Sequence, residues 1–216
     1  MKRLLERFRN TGGHSRPVGL EQEQASDFFS TMFVERADDA DSVLATWSAR
    51  AADLHAEPCE RKRGIDLFTR HCGEDRHVMA LTAAQLHQLT EYLQFVIVPA
   101  GQEVIGQDER GDYLLIVLEG TLAVDCVQPW GGRMRLAEAR AGEMLGEMSL
   151  LDAGTRSSTC TTLTPCVFAV LDAPRLDQLV QHEPRLALAL LSALSRRLSL
   201  RLRQVSARLT ALLSRS

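Results

Sequence analysis

Ala141-Gly142-Glu143-Met144-Leu145-Gly146-Glu147-Met148-Ser149-Leu150-Leu151-Asp152-Ala153-Gly154-Thr155-Arg156-Ser157-Ser158-Thr159 is the stretch on which the reading of this chain turns. Gly146 leaves room for close approach of backbone. Glu147 to Leu151 suits one short helical turn, whose first N–H groups lack helical partners and favour an anion. Arg156 returns after that turn with a planar guanidinium that can hold two phosphate oxygens at once. Ser157 adds a hydroxyl beside it. Glu147 is an acceptor, and an acid beside an anion site is explained by a sugar hydroxyl. The residues therefore read as a pocket for a small cyclic phosphate.

Gly-Glu-Met-Ser-Leu-Leu at 146–151, followed by Arg-Ser-Ser-Thr at 156–159, resembles the phosphate-binding cassette of cyclic-nucleotide-binding domains. That family includes kinase regulatory subunits, the catabolite activator protein of bacteria and cyclic-nucleotide-gated channels. The resemblance runs from about Leu86 to Leu202. It implies a β-roll followed by helices, with Glu147 on the ribose 2′-hydroxyl and Arg156 on the cyclic phosphate. Gly146, Met148, Ser149 and Ser157 would line the same cradle. Thr155 stands where the kinase relatives often carry proline, which loosens the turn and removes no binding group.

The flanks of the cassette read as strands. Phe95–Val98, Glu103–Gly106, Tyr113–Leu118, Thr121–Val127, Met134–Ala139, Ser158–Leu163 and Cys166–Leu171 are short apolar or alternating runs. Turn chemistry separates them at Pro99-Ala100-Gly101, Asp108–Asp112, Glu119-Gly120, Pro129-Trp130-Gly131-Gly132 and Thr164-Pro165. Many short strands at close spacing argue for an antiparallel roll. Beyond Asp172, a plausible cap with Pro174 in the first turn, Ala173–His182 reads as one helix. Pro184 opens a second, running almost to Ser216, with Leu191, Leu194, Leu198, Leu202, Val205, Leu209 and Leu212 stepping by three and four. Ahead of the roll, Met1–Asn10 reads as a basic, solvated terminus and Thr11–Gly19 as a linker. Leu20 to about His55 reads as helix broken at Asp38–Asp41, and Glu57-Pro58 reads as a boundary. Glu60–Gly64 is a charged connector, Ile65–Thr69 is helical, and Thr82 with Gln85 suits a capping box. The expected fold is α+β: an antiparallel, jelly-roll-like β-roll of about eight strands with an N-terminal helical extension and a long C-terminal helix. Its parts are residues 1–63, 64–175 and 176–216.

Bulk composition is that of an ordinary globular chain: 45% hydrophobic, 25% charged and a net charge of −3. The 5% aromatic content argues against a base-stacking surface. Five scattered cysteines suggest no disulfide framework, and a cytoplasmic setting fits. No apolar run reaches the roughly 18 residues of a membrane span. His55, Cys59, His71, Cys72 and His77 match no compact zinc spacing, so no metal or cofactor is expected, and no catalytic triad or Walker loop is legible. The expectation is a non-catalytic cyclic-nucleotide sensor. The bacterial resemblance favours cAMP, with cGMP or a cyclic dinucleotide as alternatives. Alignment of the last helix to the bacterial activators brings Arg201 and Leu202 near the purine. Arg201 could stack on the base, bond guanine or point into water. Ser157 could meet the phosphate or the 2-amino group of guanine. The apolar seam of the last helix suggests a homodimer, and the output is expected through a protein partner. Sequence-specific nucleic-acid binding is not expected, since no helix-turn-helix follows; the competing reading is a DNA-binding regulator of the catabolite-activator type.

Overall fold

The computed structural model describes residues 27–35, 44–74, 81–128 and 130–214. The sequence readings of Met1–Asn10, Thr11–Gly19 and the Asp38–Asp41 break lie outside the described residues. In chain order the elements are α1 (Phe28–Glu35), β1 (Leu44–Ala45), α2 (Trp47–Asp53), β2 (Glu57–Pro58), α3 (Arg61–Glu74) and α4 (Ala83–Leu89), which runs into a 3-10 turn. Then come β3 (Gln94–Val98), β4 (Glu103–Ile105), β5 (Arg110–Gly111), β6 (Tyr113–Glu119), β7 (Thr121–Val127), β8 (Arg133–Arg140) and β9 (Met144–Leu145). α5 (Glu147–Asp152), β10 (Thr159–Thr162), β11 (Cys166–Asp172), α6 (Ala173–His182) and α7 (Pro184–Leu213) complete the chain.

Two sheets form the roll, in strand orders β4-β10-β7-β8 and β2-β3-β11-β6-β9, and all pairings within them are antiparallel. Side chains of a strand alternate between faces, and β6 shows the consequence. Tyr113, Leu115 and Val117 enter the core between the sheets, with Val98, Leu122 and Phe168. Leu114, Ile116 and Leu118 face the helices, where they meet Phe68, Leu89 and Leu176. A strand buried on both sides carries an unbroken apolar run, which is why Tyr113–Leu118 shows no polar alternation. β11 behaves alike, with Phe168 and Val170 inward and Ala169 and Leu171 toward the helices.

All seven strands expected from the sequence are present, joined by the two-residue β1, β2, β5 and β9. The hydroxyl of Thr82 and the side chain of Gln85 form the reciprocal cap at α4, and Asp172 caps α6 with Pro174 in the first turn. Three readings are corrected. Leu44–Ala45 and Glu57–Pro58, read as helix and boundary, are strands: β1 pairs in parallel with β5, and β2 adds to β3. Two-residue strands carry no periodicity of their own; an exposed edge supplies their partners. The charged connector at Arg61–Gly64 is the first turn of α3, because its polar residues need only one face of a helix. Part of the Asp108–Asp112 turn is β5.

α7 divides in two. Leu186, Ala187, Leu190, Ala193 and Leu194 are buried against the helical layer, while Leu202, Val205, Leu209, Leu212 and Leu213 are exposed. No described helix is long and apolar enough to cross a membrane.

Candidate functional site

β9 pairs with β6 through Leu145 and Leu115, which brings the next residue, Gly146, beside Tyr113. Gly146 has φ 82°, a left-handed conformation that favours glycine, and α5 starts directly after it. Arg156 comes back to the same place by backbone pairing: its N–H donates to the Glu109 carbonyl at 2.7 Å, and its own carbonyl accepts from Asp108 N at 2.9 Å. Two ends of the cassette are thus tied to the β4–β6 connection, ten residues apart in sequence but adjacent in space.

The Arg156 side chain is 4% exposed. Its Nη1 donates to the Gly146 carbonyl at 2.5 Å and its Nη2 to the Tyr113 carbonyl at 2.6 Å. The guanidinium carbon lies 4.8 Å from the centre of the Tyr113 ring, a cation–π distance. Its Nε is buried and has no hydrogen-bond partner among the described residues. A buried orphan donor on a cation is costly unless an anion completes it. Burial also pulls the Arg156 guanidinium below its ordinary pKa, against the opposing influence of Tyr113 and Glu109. The slot is cut to size: a Cβ on Gly111 would lie 2.8 Å from Arg156 Cζ and Nε, and one on Gly146 would lie 3.0 Å from Cζ.

Glu147 is 2% exposed, and its Oε1 accepts from Arg201 Nη1 of α7 at 3.2 Å. Both groups, with Arg156, line a cavity of about 440 Å³, within the range of small-molecule sites. The sequence-selected Gly146, Met148, Ser149 and Ser157 line it too, so the structure brings all seven selected residues together. Ser149 is committed within the protein: its hydroxyl accepts from Gly111 N at 3.1 Å and sits 2.7 Å from the Gly154 carbonyl. The remaining wall is largely apolar, from Ile105, Val124, Leu198, Leu202 and Val205. Cys160 also lines the cavity, with a thiol that burial pushes up to about 12.

Sequence reasoning missed the support behind Arg156. Tyr113 was read as a strand residue and Gly111 as a turn residue, yet both shape the guanidinium slot. Burial pushes the Tyr113 phenol up to about 12, and its hydroxyl donates to the Val104 carbonyl at 2.6 Å. The Trp47 ring lies 5.2 Å from the Tyr113 ring, and its Nε1 donates to Gln94 Oε1 at 2.6 Å. The Trp47 N–H donates to Asp112 at 2.9 Å, and Arg50 pairs with Glu109. The segment β1–α2 therefore buttresses the strand that carries the site. Its one sequence signal was Trp47 in an otherwise aromatic-poor chain.

Residues 95–183 match the family model of the cyclic nucleotide-binding domain. The CRP-like cAMP-activated global transcriptional regulator of Mycobacterium tuberculosis is 34% identical over 110 residues, 51% of this chain and 49% of that protein. The chain thus spans about half the length of the curated relatives it matches. A cyclic nucleotide-binding domain from Methylobacillus flagellatus superposes with a TM-score of 0.64 at 27% identity, covering 72% of this chain and 87% of that one. The N-terminal domain of a transcriptional regulator from Streptomyces coelicolor is 30% identical with a TM-score of 0.53, covering 62% of this chain and 93% of that one. With the roll, the cassette and these relatives in agreement, the chain belongs to the cyclic nucleotide-binding domain family.

Proposed function

We propose that this chain is a non-catalytic sensor of a cyclic nucleotide, holding the cyclic phosphate through Arg156 and Ser157 and the ribose 2′-hydroxyl through Glu147. The observation that carries this reading is the pair of buried opposite charges, Glu147 and Arg156, on the wall of one cavity, with Arg156 Nε left for an anion. cAMP is the first ligand to test, on the strength of the names of the curated relatives. Glu147 holds α7 through Arg201, so occupancy of the sugar site acts on that helix and shifts its arrangement. The exposed apolar positions of α7 support a homodimer along this helix, and a protein partner receives the signal. A cytoplasmic setting belongs to the same reading.

Calorimetry with cAMP and cGMP tests the site. Arg156→Ala should lower affinity by about a hundredfold or more, the loss of a charge-assisted contact in a dry cavity. Equal binding by wild type and variant would show the site to be misassigned. Light scattering on the intact chain and on one ending at Leu198 tests the dimer; equal monomer masses would end that part. A second reading, a DNA-binding regulator, is favoured by the transcriptional role in the names of the relatives. Nucleotide-dependent, steeply salt-dependent binding to duplex DNA would establish it.

A further inference from the structure

We propose that Arg201 is the base-reading residue of the cavity and that it selects guanine over adenine. The inference rests on the cyclic-nucleotide reading and departs from the adenine that the relatives' names favour. A cyclic nucleotide is short and stiff, with phosphate and base on opposite sides of one sugar. With the phosphate at Arg156 and the sugar at Glu147, the base falls against α7. The α7 wall of the cavity consists of Leu198, Arg201, Leu202 and Val205. Arg201 is its one polar side chain, so it decides what the base edge meets.

A guanidinium only donates hydrogen bonds. Arg201 spends Nη1 on the buried Glu147 carboxylate at 3.2 Å. That leaves Nε and Nη2 uncommitted among the described residues. The tie to a buried acid also fixes the guanidinium on the cavity wall. Two forked donors need two adjacent acceptors. Guanine offers them at O6 and N7, whereas adenine puts the N6 donor beside N7, so one arm of the fork meets a donor. The three leucine and valine neighbours supply apolar contact to either purine and do not discriminate. The Arg201 side chain is 56% exposed, so replacing it removes little packing, and Arg201→Lys keeps a cation beside the buried Glu147 carboxylate.

The experiment is titration of the full chain with cGMP, cAMP and cyclic inosine monophosphate, on wild type, Arg201→Leu and Arg201→Lys. The expected preference for cGMP over cAMP is about tenfold, within what one bidentate arginine–guanine pair supplies. Cyclic inosine monophosphate has O6 and N7 but no 2-amino group, and it should bind as tightly as cGMP. Arg201→Leu should bring all three ligands within about twofold of one another, and Arg201→Lys, which keeps the charge without the fork, should recover less than half of the preference on a logarithmic scale. If cyclic inosine monophosphate binds as weakly as cAMP, the 2-amino group is being read instead and the proposal falls. It falls also if Arg201→Leu weakens cAMP and cGMP equally, or if cAMP binds wild type as well as cGMP does. Failure of every ligand to bind wild type would instead overturn the cyclic-nucleotide reading itself.

Discussion

Gly111→Ala tests whether the backbone around Arg156, and not the arginine alone, makes the site. Gly111 lies in β5 with an ordinary backbone angle, so the substitution introduces bulk without conformational strain. The new methyl would sit 2.8 Å from Arg156 Cζ and Nε and closer still to Nη2. An unstrained contact needs about 3.5 Å, so the guanidinium must retreat by roughly 1 Å. Its bonds to the Gly146 and Tyr113 carbonyls, at 2.5 and 2.6 Å, cannot both survive that shift. Losing one charge-assisted bond and overpacking the slot costs about 2–4 kcal/mol of stability. The cation also leaves the position proposed for the phosphate, so nucleotide affinity should fall about a hundredfold. Thermal or urea unfolding and calorimetry on the same preparation give both numbers. A variant that keeps affinity within twofold of wild type would refute the claim that this slot positions the phosphate cation.

Three further outcomes follow from the same geometry. Ser149→Ala removes the hydroxyl that joins Gly111 to Gly154, so it should cost about 1–2 kcal/mol of stability while reducing affinity far less than Arg156→Ala; comparable losses of affinity would make Ser149 a direct ligand contact. The buried Asp177 accepts from Phe29 N and Ser30 N at 2.8 Å and from the Ser30 hydroxyl at 2.6 Å. Asp177→Ala should therefore speed amide exchange in α1 and lower stability by about 1–2 kcal/mol; unchanged exchange would show that α1 is held by Phe29 and Phe33 alone. Burial raises the Asp112 carboxyl above its ordinary pKa, with Asp172 adding to the effect. A raised carboxyl contributes most to stability below its unfolded pKa and progressively less as pH climbs through the folded value. Asp112→Asn removes that cost, so its melting temperature relative to wild type should rise between pH 4 and pH 7; a pH-independent difference would contradict the assignment.

Much of this fold can be read in one dimension because its determinants are local. The runs Phe95–Val98, Tyr113–Leu118 and Cys166–Leu171 are apolar on both faces, and both faces are buried. Thr82 with Gln85, and Asp172 with Pro174, are end signals spaced three residues or fewer apart. The Gly146–Thr159 cassette is likewise compact, so the types of residue that meet in the cavity were visible as a short pattern. The two-residue strands were not visible, because a pair of residues has no period. β2 is a strand only because β3 has a free edge beside it.

From sequence alone came the residue types: an acid, a cation and small hydroxyls around a glycine turn, set among alternating apolar runs. Those follow from short-range chemistry, which neighbours in the chain can satisfy or forbid. Tertiary structure decided what surrounds them. Tyr113 stacks on Arg156 from 43 positions away, Trp47 braces Tyr113, and Arg201 reaches Glu147 across 54 positions. None of these contacts has a spacing rule, because each depends on how two sheets and a returning helix close on one another. The burial that leaves Arg156 Nε without a partner among the described residues arises from that closure, and so does the cavity that Arg156 lines.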